Sequence, residues 1–428
     1  MVLPSRIYMV GIGGIGMSAL AQFLAHTGHD VSGEDRDDSP VVAMLRKKGI
    51  EVAIGRADMP EDTRLLVYSD AVPESNGTRM RAKETGVPQM SYFEALGEVS
   101  KKARTIAIAG THGKTTTTGM LAKILVDAGA QPTAIIGSIV RDFSSNFVAG
   151  SPDVFVIEAC EYRDHILKLS PEILVITNIE LDHTDYFPDL AALQQTFRTA
   201  AEKVPAHGAI ITNPEDATIA PVLKNVRARI IDYTHMAVGS LKLIGEFNRM
   251  NARAALAAAH AAEPKLSLEA GVKSLSEFQG SWRRFEYRGE TPLGALVYDD
   301  YAHHPTAIAK TIEAAREKFP DKNIIVAFHP HLYSRTKSLL HEFAAALATA
   351  DEALVAPIYA AREEPDPAVS SDILAAAAQK INDRAGGRVT ALDSFDTIRD
   401  KLLSFGSDSL IITMGAGDIY KVAEQIAD

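Results

Sequence analysis

Residues 106–118 read Ile-Ala-Ile-Ala-Gly-Thr-His-Gly-Lys-Thr-Thr-Thr-Thr, and this stretch decides the fold of the chain around it. A short apolar run leads into a glycine-rich turn, and a helical pattern follows over residues 118–128. Such a strand, turn and helix hold phosphate groups, because the backbone N–H groups of the turn and of the helix N-terminus point at the anion. Lys114 adds a positive charge, and the Thr115 hydroxyl is a potential Mg2+ ligand. The stretch therefore predicts a nucleoside triphosphate site.

The loop departs from the general phosphate-loop pattern in one position. The pattern G-x-x-x-x-G-K-[ST] requires glycine at position 108, where this chain has Ile108. The first glycine is Gly110, so the loop reads G-x-x-G-K-T. On its own the loop predicts the use of a nucleoside triphosphate and leaves the reaction open.

The composition is typical of a globular protein with several domains. The chain has 428 residues, 46% of them apolar and 23% charged, which suggests two to four domains. Its net charge of −11 argues against a general nucleic-acid binder. No apolar run approaches the ~18 residues of a membrane span, and no signal-peptide pattern is present. The single cysteine excludes an internal disulfide and a cysteine-based metal cluster. We expect a cytoplasmic protein with neither nucleic acid nor membrane as a partner.

The first block of the chain, residues 1–100, predicts a Rossmann-like domain. A strand over residues 6–10 leads into Gly11-Ile12-Gly13-Gly14-Ile15-Gly16, and a helix follows over residues 17–27. A second strand over residues 30–33 has Glu34 and Asp35 at its end. This is the beginning of a nucleotide-binding βαβ unit, in which a diphosphate lies over the helix N-terminus. The glycine motif alone is a weak signal, because dinucleotide-dependent oxidoreductases share it.

Two further blocks alternate strands with helices. Residues 101–280 contain the Lys114 loop and continuous apolar strands at 154–158, 173–178 and 208–212. Such strands predict a mostly parallel sheet that helices cover on both faces. Residues 281–428 repeat the alternation and predict a second Rossmann-like domain. The predicted fold class is thus α/β with three domains, the central one a phosphate-loop ATPase domain.

Polar side chains follow the predicted strands of the second and third blocks. Glu158 ends one strand, and Asp182 and His183 follow the next, so all three are expected at one edge of the sheet. An acid at such a strand end holds Mg2+ in phosphate-loop enzymes, whereas histidine is an unusual magnesium ligand. In the third block, Asp-Asp-Tyr-Ala-His-His-Pro at residues 299–305 follows a strand, and Arg335 could bind a carboxylate or phosphate. These residues predict an ATP site beside sites for a nucleotide-linked substrate and a carboxylate-bearing substrate.

Eight segments carry a resemblance to a known family. They are GIGGIGMSAL (11–20), GTHGKTTTT (110–118), EACEY (158–162), NIELDHTDY (178–186), DDYAHHPT (299–306), PHLYSRT (330–336), AREEP (361–365) and MGAGDI (414–419). In these segments the chain resembles the Mur ligases of peptidoglycan synthesis, and most of all the branch that joins L-alanine to UDP-N-acetylmuramate. The segments span nearly the whole chain in the order that the family has.

The resemblance implies a reaction and a division of labour among the domains. The first domain would bind the UDP-sugar, the second ATP with Mg2+, and the third the amino acid. The carboxylate of UDP-N-acetylmuramate would receive the γ-phosphate of ATP, and the amine of L-alanine would then displace phosphate to form an amide. The protein would act as a monomer or a homodimer, with UDP-N-acetylmuramate and L-alanine as its substrates.

The resemblance also assigns roles to residues of this sequence. The implied catalytic residues are Lys114, His183, His303 and Arg335, and Asp182 is a candidate acceptor for the proton of the ammonium group. ATP would contact Gly110, Thr111, His112, Gly113, Lys114, Thr115, Thr116, Asn248 and Asn251. The UDP-sugar would contact Gly11, Gly13, Gly14, Ile15, Gly16, Asp35 and Ser69. L-Alanine would contact Tyr301, His303 and Arg335, and metal ions would be held by Thr115, Glu158 and His183.

The chain departs from the family in three places, and other functions stay open. Phe247 stands where the family has histidine, and Asp70 stands where it has the second of two serines. The stretch between Thr212 and Asn248 is about thirty residues shorter than expected for the family. The alternatives are a ligase that recycles murein tripeptide, a catalytically silent UDP-sugar-binding regulator, and an NAD-dependent oxidoreductase.

Overall fold

The computed structural model describes residues 3–55, 58–361, 363–381 and 387–427. These residues contain three mainly parallel sheets. The chain forms two compact units: the first comprises Met1–Glu180, Leu193–Ser240 and Met250–Gln279, and the second comprises Leu181–Ala192, Leu241–Arg249 and Gly280–Asp428. Arg362, part of the predicted AREEP segment, lies outside the described residues.

The first sheet belongs to the first unit and has five parallel strands in the order β3-β2-β1-β4-β5. The strands are β1 (Arg6–Val10), β2 (Asp30–Asp35), β3 (Glu51–Ile54), β4 (Leu65–Tyr68) and β5 (Gln89–Ser91). The helices are α1 (Ile15–His26), α2 (Pro40–Lys47), α3 (Gly77–Thr85) and α4 (Tyr92–Ser100). The order reverses beside β1, so the glycine-rich turn after β1 lies at the switch point where open α/β sheets bind ligands.

The second sheet has seven strands in the order β12-β11-β10-β6-β9-β7-β8, and only the edge strand β8 is antiparallel. The strands are β6 (Arg104–Ala109), β7 (Pro132–Val140), β8 (Ser145–Val148), β9 (Ser151–Glu158), β10 (Ile173–Ile176), β11 (Ala209–Thr212) and β12 (Arg229–Asp232). The α-helices of this stretch are α5 (Lys114–Asp127), α6 (Leu190–Lys203), α7 (Glu246–Ala262) and α8 (Leu268–Glu277). Three 3-10 helices cover Arg141–Phe143, Tyr162–Lys168 and Ala220–Leu223. The central strand β6 is buried on both faces, and the phosphate-binding turn follows it directly.

The third sheet belongs to the second unit and has the order β13-β14-β18-β15-β16-β17, with only β13 antiparallel. The strands are β13 (Glu286–Glu290), β14 (Leu296–Asp300), β15 (Asn323–Phe328), β16 (Glu352–Val355), β17 (Arg388–Ala391) and β18 (Ser409–Met414). The helices are α9 (Pro305–Lys318), α10 (Tyr333–Ser338), α11 (Leu340–Leu347), α12 (Ser371–Ile381), α13 (Phe395–Leu402) and α14 (Tyr420–Ile426). Separate apolar clusters cover the two faces, one around Phe328 and Phe343 and the other around Ile411 and Val422.

The predicted fold class is confirmed, and several predicted boundaries are wrong. Helix α5 begins at Lys114 rather than at residue 118, because the threonines that follow Lys114 are buried and helical despite their β-branching. Two short helices, α10 and α11, follow β15 and meet at Leu339, where the backbone is not helical. Arg335 lies on α10.

The predicted domain limits of 1–100, 101–280 and 281–428 stay a prediction. The three sheets fall within residues 6–91, 104–232 and 286–414. Two segments that the prediction assigned to the central block, Leu181–Ala192 and Leu241–Arg249, group by their contacts with the second unit. Across the described part of the chain, no helix has the length and apolar character needed to cross a membrane.

Candidate active site

The turn after β6 has the conformation of a phosphate-binding loop. Gly110 and Gly113 adopt positive φ values of 127° and 85°, which favour glycine. A Cβ atom on Gly110 would collide with the side chain of Thr177, and one on Gly113 would collide with that of Asn251. Helix α5 begins directly after Gly113, so its first N–H groups border the loop.

Residues that follow β10 hold this loop in place. The Thr111 hydroxyl donates to the Glu180 carbonyl (2.8 Å) and accepts from the Glu180 N–H (2.9 Å). The His112 N–H donates to Asn178 Oδ1 at 2.9 Å, and the His112 ring lies 2.9 Å from the Glu180 carboxylate. Sequence reasoning gave Asn178 and Glu180 no role, although both lie in the segment NIELDHTDY. The loop is thus fixed before any ligand binds.

Lys114 is paired with a carboxylate that sequence reasoning missed. Its Nζ lies 3.1 Å from both carboxylate oxygens of Glu161 and also donates to the carbonyl oxygens of Gly110 and Thr111. Burial is the largest single influence and lowers the pKa of the Lys114 ammonium, but the charge and hydrogen bond of Glu161, together with Cys160 and Glu158, outweigh burial, and the pKa is raised. Lys114 therefore keeps its charge and its position in the loop. The segment EACEY contained the signal, because its second acid follows Glu158 at the end of β9.

Thr115 and Glu158 form an oxygen-donor pair beside the loop. The Thr115 hydroxyl donates to Glu158 Oε2 at 3.2 Å, and the Gly137 N–H donates to Glu158 Oε1. A Cβ on Gly137 would come within 2.5 Å of Glu158 Oε2, so glycine makes room for this carboxylate. A hydroxyl and a carboxylate are the hard oxygen ligands that Mg2+ prefers, and the pair fits that ion.

Asp182 and Arg335 form a buried ion pair within the second unit. Asp182 Oδ1 accepts from Arg335 Nε at 2.9 Å and from Nη2 at 2.8 Å. Burial is the largest single influence and raises the pKa of Asp182, but the Arg335 guanidinium, with smaller contributions from the neighbouring histidines, holds the pKa well below its usual range. Arg335 Nη1 also lies 3.2 Å from His331 Nδ1. The neighbouring His183 has a left-handed backbone (φ 54°), and its N–H donates to Asp182 Oδ1.

Tyr301 and His303 lie together after β14. His303 Nδ1 is 2.9 Å from the Tyr301 carbonyl oxygen, and the two rings are 5.2 Å apart. Burial, with the positive charge of Arg335 next, lowers the pKa of His303 well below its usual range, so the ring is neutral. The guanidinium groups of Arg283 and Arg284 lie 5.3 Å and 5.0 Å from the Tyr301 ring. Sequence reasoning missed both arginines, because they precede β13 outside any motif.

The glycine-rich turn after β1 brings together residues of the predicted UDP-sugar site. The Gly13 N–H donates to Asp35 Oδ2 at 2.7 Å. Gly11 has a φ of 77°, and a Cβ there would lie 3.1 Å from Ser69 Cβ. Helix α1 begins at Ile15 immediately after Gly14, as a diphosphate site requires. The predicted contacts Gly11, Gly13, Asp35 and Ser69 therefore surround one turn.

Asp70, the acid that departs from the family pattern, pairs with a histidine of the central block. Asp70 Oδ2 lies 2.8 Å from His165 Nε2. The His165 ring stacks on Phe93 at 3.7 Å, and only 7% of His165 is exposed. The acid that replaces the family's second serine is therefore paired with His165.

The predicted adenine-site residues lie on α7. Asn251 packs against Gly113 of the phosphate-binding loop. Asn248 belongs to the second unit, and its amide donates to the Ile244 carbonyl at 2.8 Å. Both asparagines are buried. Thr116, the residue after Thr115 on α5, is also buried.

Three family models match the chain, and all three describe Mur ligases. They are the Mur ligase family catalytic domain over residues 6–104, the Mur ligase middle domain over residues 108–239, and the Mur ligase glutamate ligase domain over residues 283–417. A UDP-N-acetylmuramate–L-alanine ligase of Desulfitobacterium hafniense is 40% identical, with 99% of this chain and 100% of the relative covered. A ligase of the same name from Salinibacter ruber is 36% identical, with 99% and 94% covered.

Two solved structures of such ligases are similar in fold to this chain over nearly its whole length. The UDP-N-acetylmuramate–alanine ligase of Thermotoga maritima is 27% identical with a TM-score of 0.80, and 98% of each chain is covered. A murein peptide ligase from Psychrobacter arcticus is 25% identical with a TM-score of 0.73, with 99% of this chain and 100% of that chain covered. The described sheets, the loop at Lys114 and the full-length relatives lead to one conclusion: the chain belongs to the Mur ligase family.

Proposed function

We propose that the protein is an ADP-forming ligase that joins L-alanine to the carboxylate of UDP-N-acetylmuramate in peptidoglycan synthesis. The observation that carries this proposal is the preformed loop at Lys114, with Thr115 and Glu158 beside it, in a chain 40% identical over its length to a ligase of that name. Because ATP and a sugar nucleotide are the substrates, we assign the reaction to the cytoplasm, with the protein a monomer or a homodimer.

Lys114 has the central role in the first step. A carboxylate is a poor electrophile, so its oxygen must first become part of a phosphate leaving group. Transfer of the γ-phosphoryl group onto it brings two anions together, and positive charge must offset their repulsion. Lys114 supplies that charge at the start of α5, together with the loop residues Gly110, Thr111, His112 and Gly113. The β- and γ-phosphates of ATP would take the place of the Glu161 carboxylate as the partner of Lys114.

Thr115 and Glu158 are the residues that would hold Mg2+. The bound ion would supply further charge neutralisation at the ATP phosphates. We keep His183 as a candidate for a second metal position, although imidazole is a poorer ligand for Mg2+ than oxygen. Thr116, Asn248 and Asn251 complete the proposed nucleotide contacts.

The sugar nucleotide would bind at the turn that follows β1. Its diphosphate fits the N–H groups of Gly14, Ile15 and Gly16 at the start of α1. Asp35 shapes this turn through its hydrogen bond to Gly13, and Ser69 borders it on the side of Gly11.

Tyr301, His303 and Arg335 are the proposed contacts of L-alanine. Arg335 binds Asp182 through Nε and Nη2. Its third nitrogen, Nη1, lies beside His331 and is the one proposed to contact L-alanine. The attacking amine must lose a proton. The pKa values of Asp182 and His303 are both held well below their usual ranges, so neither side chain is a strong base toward this proton.

The proposal is tested by ADP release from ATP in the presence of UDP-N-acetylmuramate and a panel of amines. We expect release that depends on L-alanine, with a loss of at least about 100-fold in Lys114→Ala. Lys123→Ala removes another lysine from the same helix and serves as the matched control, with activity near that of the wild type. Near wild-type turnover in Lys114→Ala would contradict the assignment of the loop.

The same panel separates the alternatives. Release with murein tripeptide in place of L-alanine would identify the recycling ligase, which has the same sugar nucleotide as its other substrate. No ATP binding in calorimetry would support a silent UDP-sugar-binding regulator. Binding of NAD at the first glycine-rich turn would support the oxidoreductase.

A further inference from the structure

The side chain of Tyr92 borders the glycine-rich turn of the proposed sugar-nucleotide site. Tyr92 is the first residue of α4, and its position is fixed by Ser91 and Glu94, which form a capping box at the start of that helix. The Tyr92 hydroxyl oxygen lies 2.8 Å from the position that a Cβ on Gly16 would occupy. Gly16 is in the first turn of α1, so the tip of Tyr92 borders the N–H groups of that turn.

Tyr92 also interacts electrostatically with the acid at the end of β9. Burial is the main cause of a strongly raised pKa of Tyr92, and the charge of Glu158 is the second. Glu158 is the proposed Mg2+ ligand. Tyr92 and the carboxylate at the end of β9 belong to one compact unit, and the charge of that carboxylate acts on the hydroxyl.

The hydroxyl is available to a ligand. Tyr92 is half-buried, and its ring packs edge-to-face on the ring of Phe93, with the ring centres 4.8 Å apart. Within residues 3–55, 58–361, 363–381 and 387–427, no side chain or backbone group hydrogen-bonds to this hydroxyl. A tyrosine hydroxyl is protonated at neutral pH and can donate to an anion.

We propose that the Tyr92 hydroxyl donates a hydrogen bond to the sugar-linked phosphate of the bound UDP-sugar. Of the two phosphates, this one lies nearer to the sugar and its carboxylate, so it is the one expected on the side of Glu158. By holding it, Tyr92 would direct the acceptor carboxylate toward Lys114 and Glu158. The inference rests on the proposed function, because it takes the turn at residues 11–16 as the diphosphate site.

Calorimetric titration of the wild type and of Tyr92→Phe with UDP and with UMP tests the proposal. UMP lacks the distal phosphate, so it probes the same site without the proposed contact. Loss of one hydrogen bond to a charged group predicts about a tenfold weaker affinity of Tyr92→Phe for UDP. The affinity for UMP should not change. Tyr287→Phe, at a half-exposed tyrosine of the third sheet, is the matched control and should bind both nucleotides as the wild type does.

Two results would overturn the role of Tyr92. The first is an unchanged affinity of Tyr92→Phe for UDP. The second is an equal loss for UDP and UMP, which would place the effect of the hydroxyl on the nucleoside part or on the fold. Failure of the proposed function has a different signature, because wild-type protein would then bind neither nucleotide. In steady-state assays we expect a higher KM for UDP-N-acetylmuramate and an unchanged KM for ATP.

Discussion

At the scale of single residues, the Lys114–Glu161 pair keeps a charged side chain ready inside the phosphate-binding loop. Only 2% of the Glu161 side chain and 19% of the Lys114 side chain are exposed. A buried charge without a partner costs several kcal/mol, so the loop needs Glu161 until a ligand supplies negative charge. We therefore interpret Glu161 as a stand-in for the phosphates of ATP.

Glu161→Gln should destabilise the ligand-free protein by about 3 kcal/mol, because Lys114 loses its counter-charge. ATP should then raise the melting temperature of the variant more than that of the wild type, because binding no longer has to displace Glu161. Thermal melts with and without ATP measure both effects. The control is Glu313→Gln, which breaks the exposed Lys310–Glu313 pair and should change stability by less than about 0.5 kcal/mol. Equal melting temperatures and equal ATP shifts in the two variants would contradict this interpretation.

At the scale of elements, the end of β14 combines two buried acids with backbone donors. Asp299 accepts from Arg283 Nε at 2.7 Å, and Asp300 accepts from the N–H groups of Phe285 and Ala302, each at 2.7 Å. Burial raises the pKa of Asp300 to about 6. The native state therefore retains a proton on Asp300 at pH values where the unfolded chain has lost it.

This raised pKa predicts a pH dependence with a definite sign. Between pH 4 and 6 the native state binds more protons at Asp300 than the unfolded state does, so its contribution to stability falls as the pH rises. Asp300→Asn does not titrate. The stability of the variant relative to the wild type should therefore increase over this range by up to about 3 kcal/mol and then level off.

Urea unfolding of the wild type and of Asp300→Asn at pH 4, 5, 6 and 7 measures this difference. Asp321→Asn makes the same chemical change at an exposed position and is the control. A relative stability that stays constant, or that decreases with rising pH, would contradict the protonated state of Asp300.

The same elements indicate what sequence patterns can predict. Buried parallel strands such as β6, β10 and β11 were predictable, because their apolar runs end in turn residues. The edge strands β8, β12 and β13 were not, because they are short and carry mixed residues. Helix α10 was also not predicted, because it has only six residues and ends at Leu339, where the backbone is not helical.

At the scale of the whole molecule, the candidate site is assembled from residues that are far apart in the sequence. The motifs predicted which residue types would be at the ends of strands, because parallel strands bring their carboxyl ends to one edge. They did not predict the pairing of Asp182 with Arg335, which are separated by 153 positions, or the packing of Asn251 on Gly113. Such contacts depend on how α7 and α10 pack, and a local pattern carries no information about that.

The central claim is that the carboxylate of UDP-N-acetylmuramate is activated by transfer of the ATP γ-phosphoryl group before L-alanine attacks. When the amine displaces phosphate, the carbon–oxygen bond to the phosphate breaks, and one carboxylate oxygen leaves with phosphorus. The most direct measurement is the reaction of UDP-N-acetylmuramate labelled with 18O in that carboxylate, with ATP and L-alanine, followed by mass analysis of the inorganic phosphate. We predict one 18O atom in each phosphate formed and the other in the amide carbonyl. Unlabelled phosphate, or phosphate release without L-alanine at the full rate, would contradict the account.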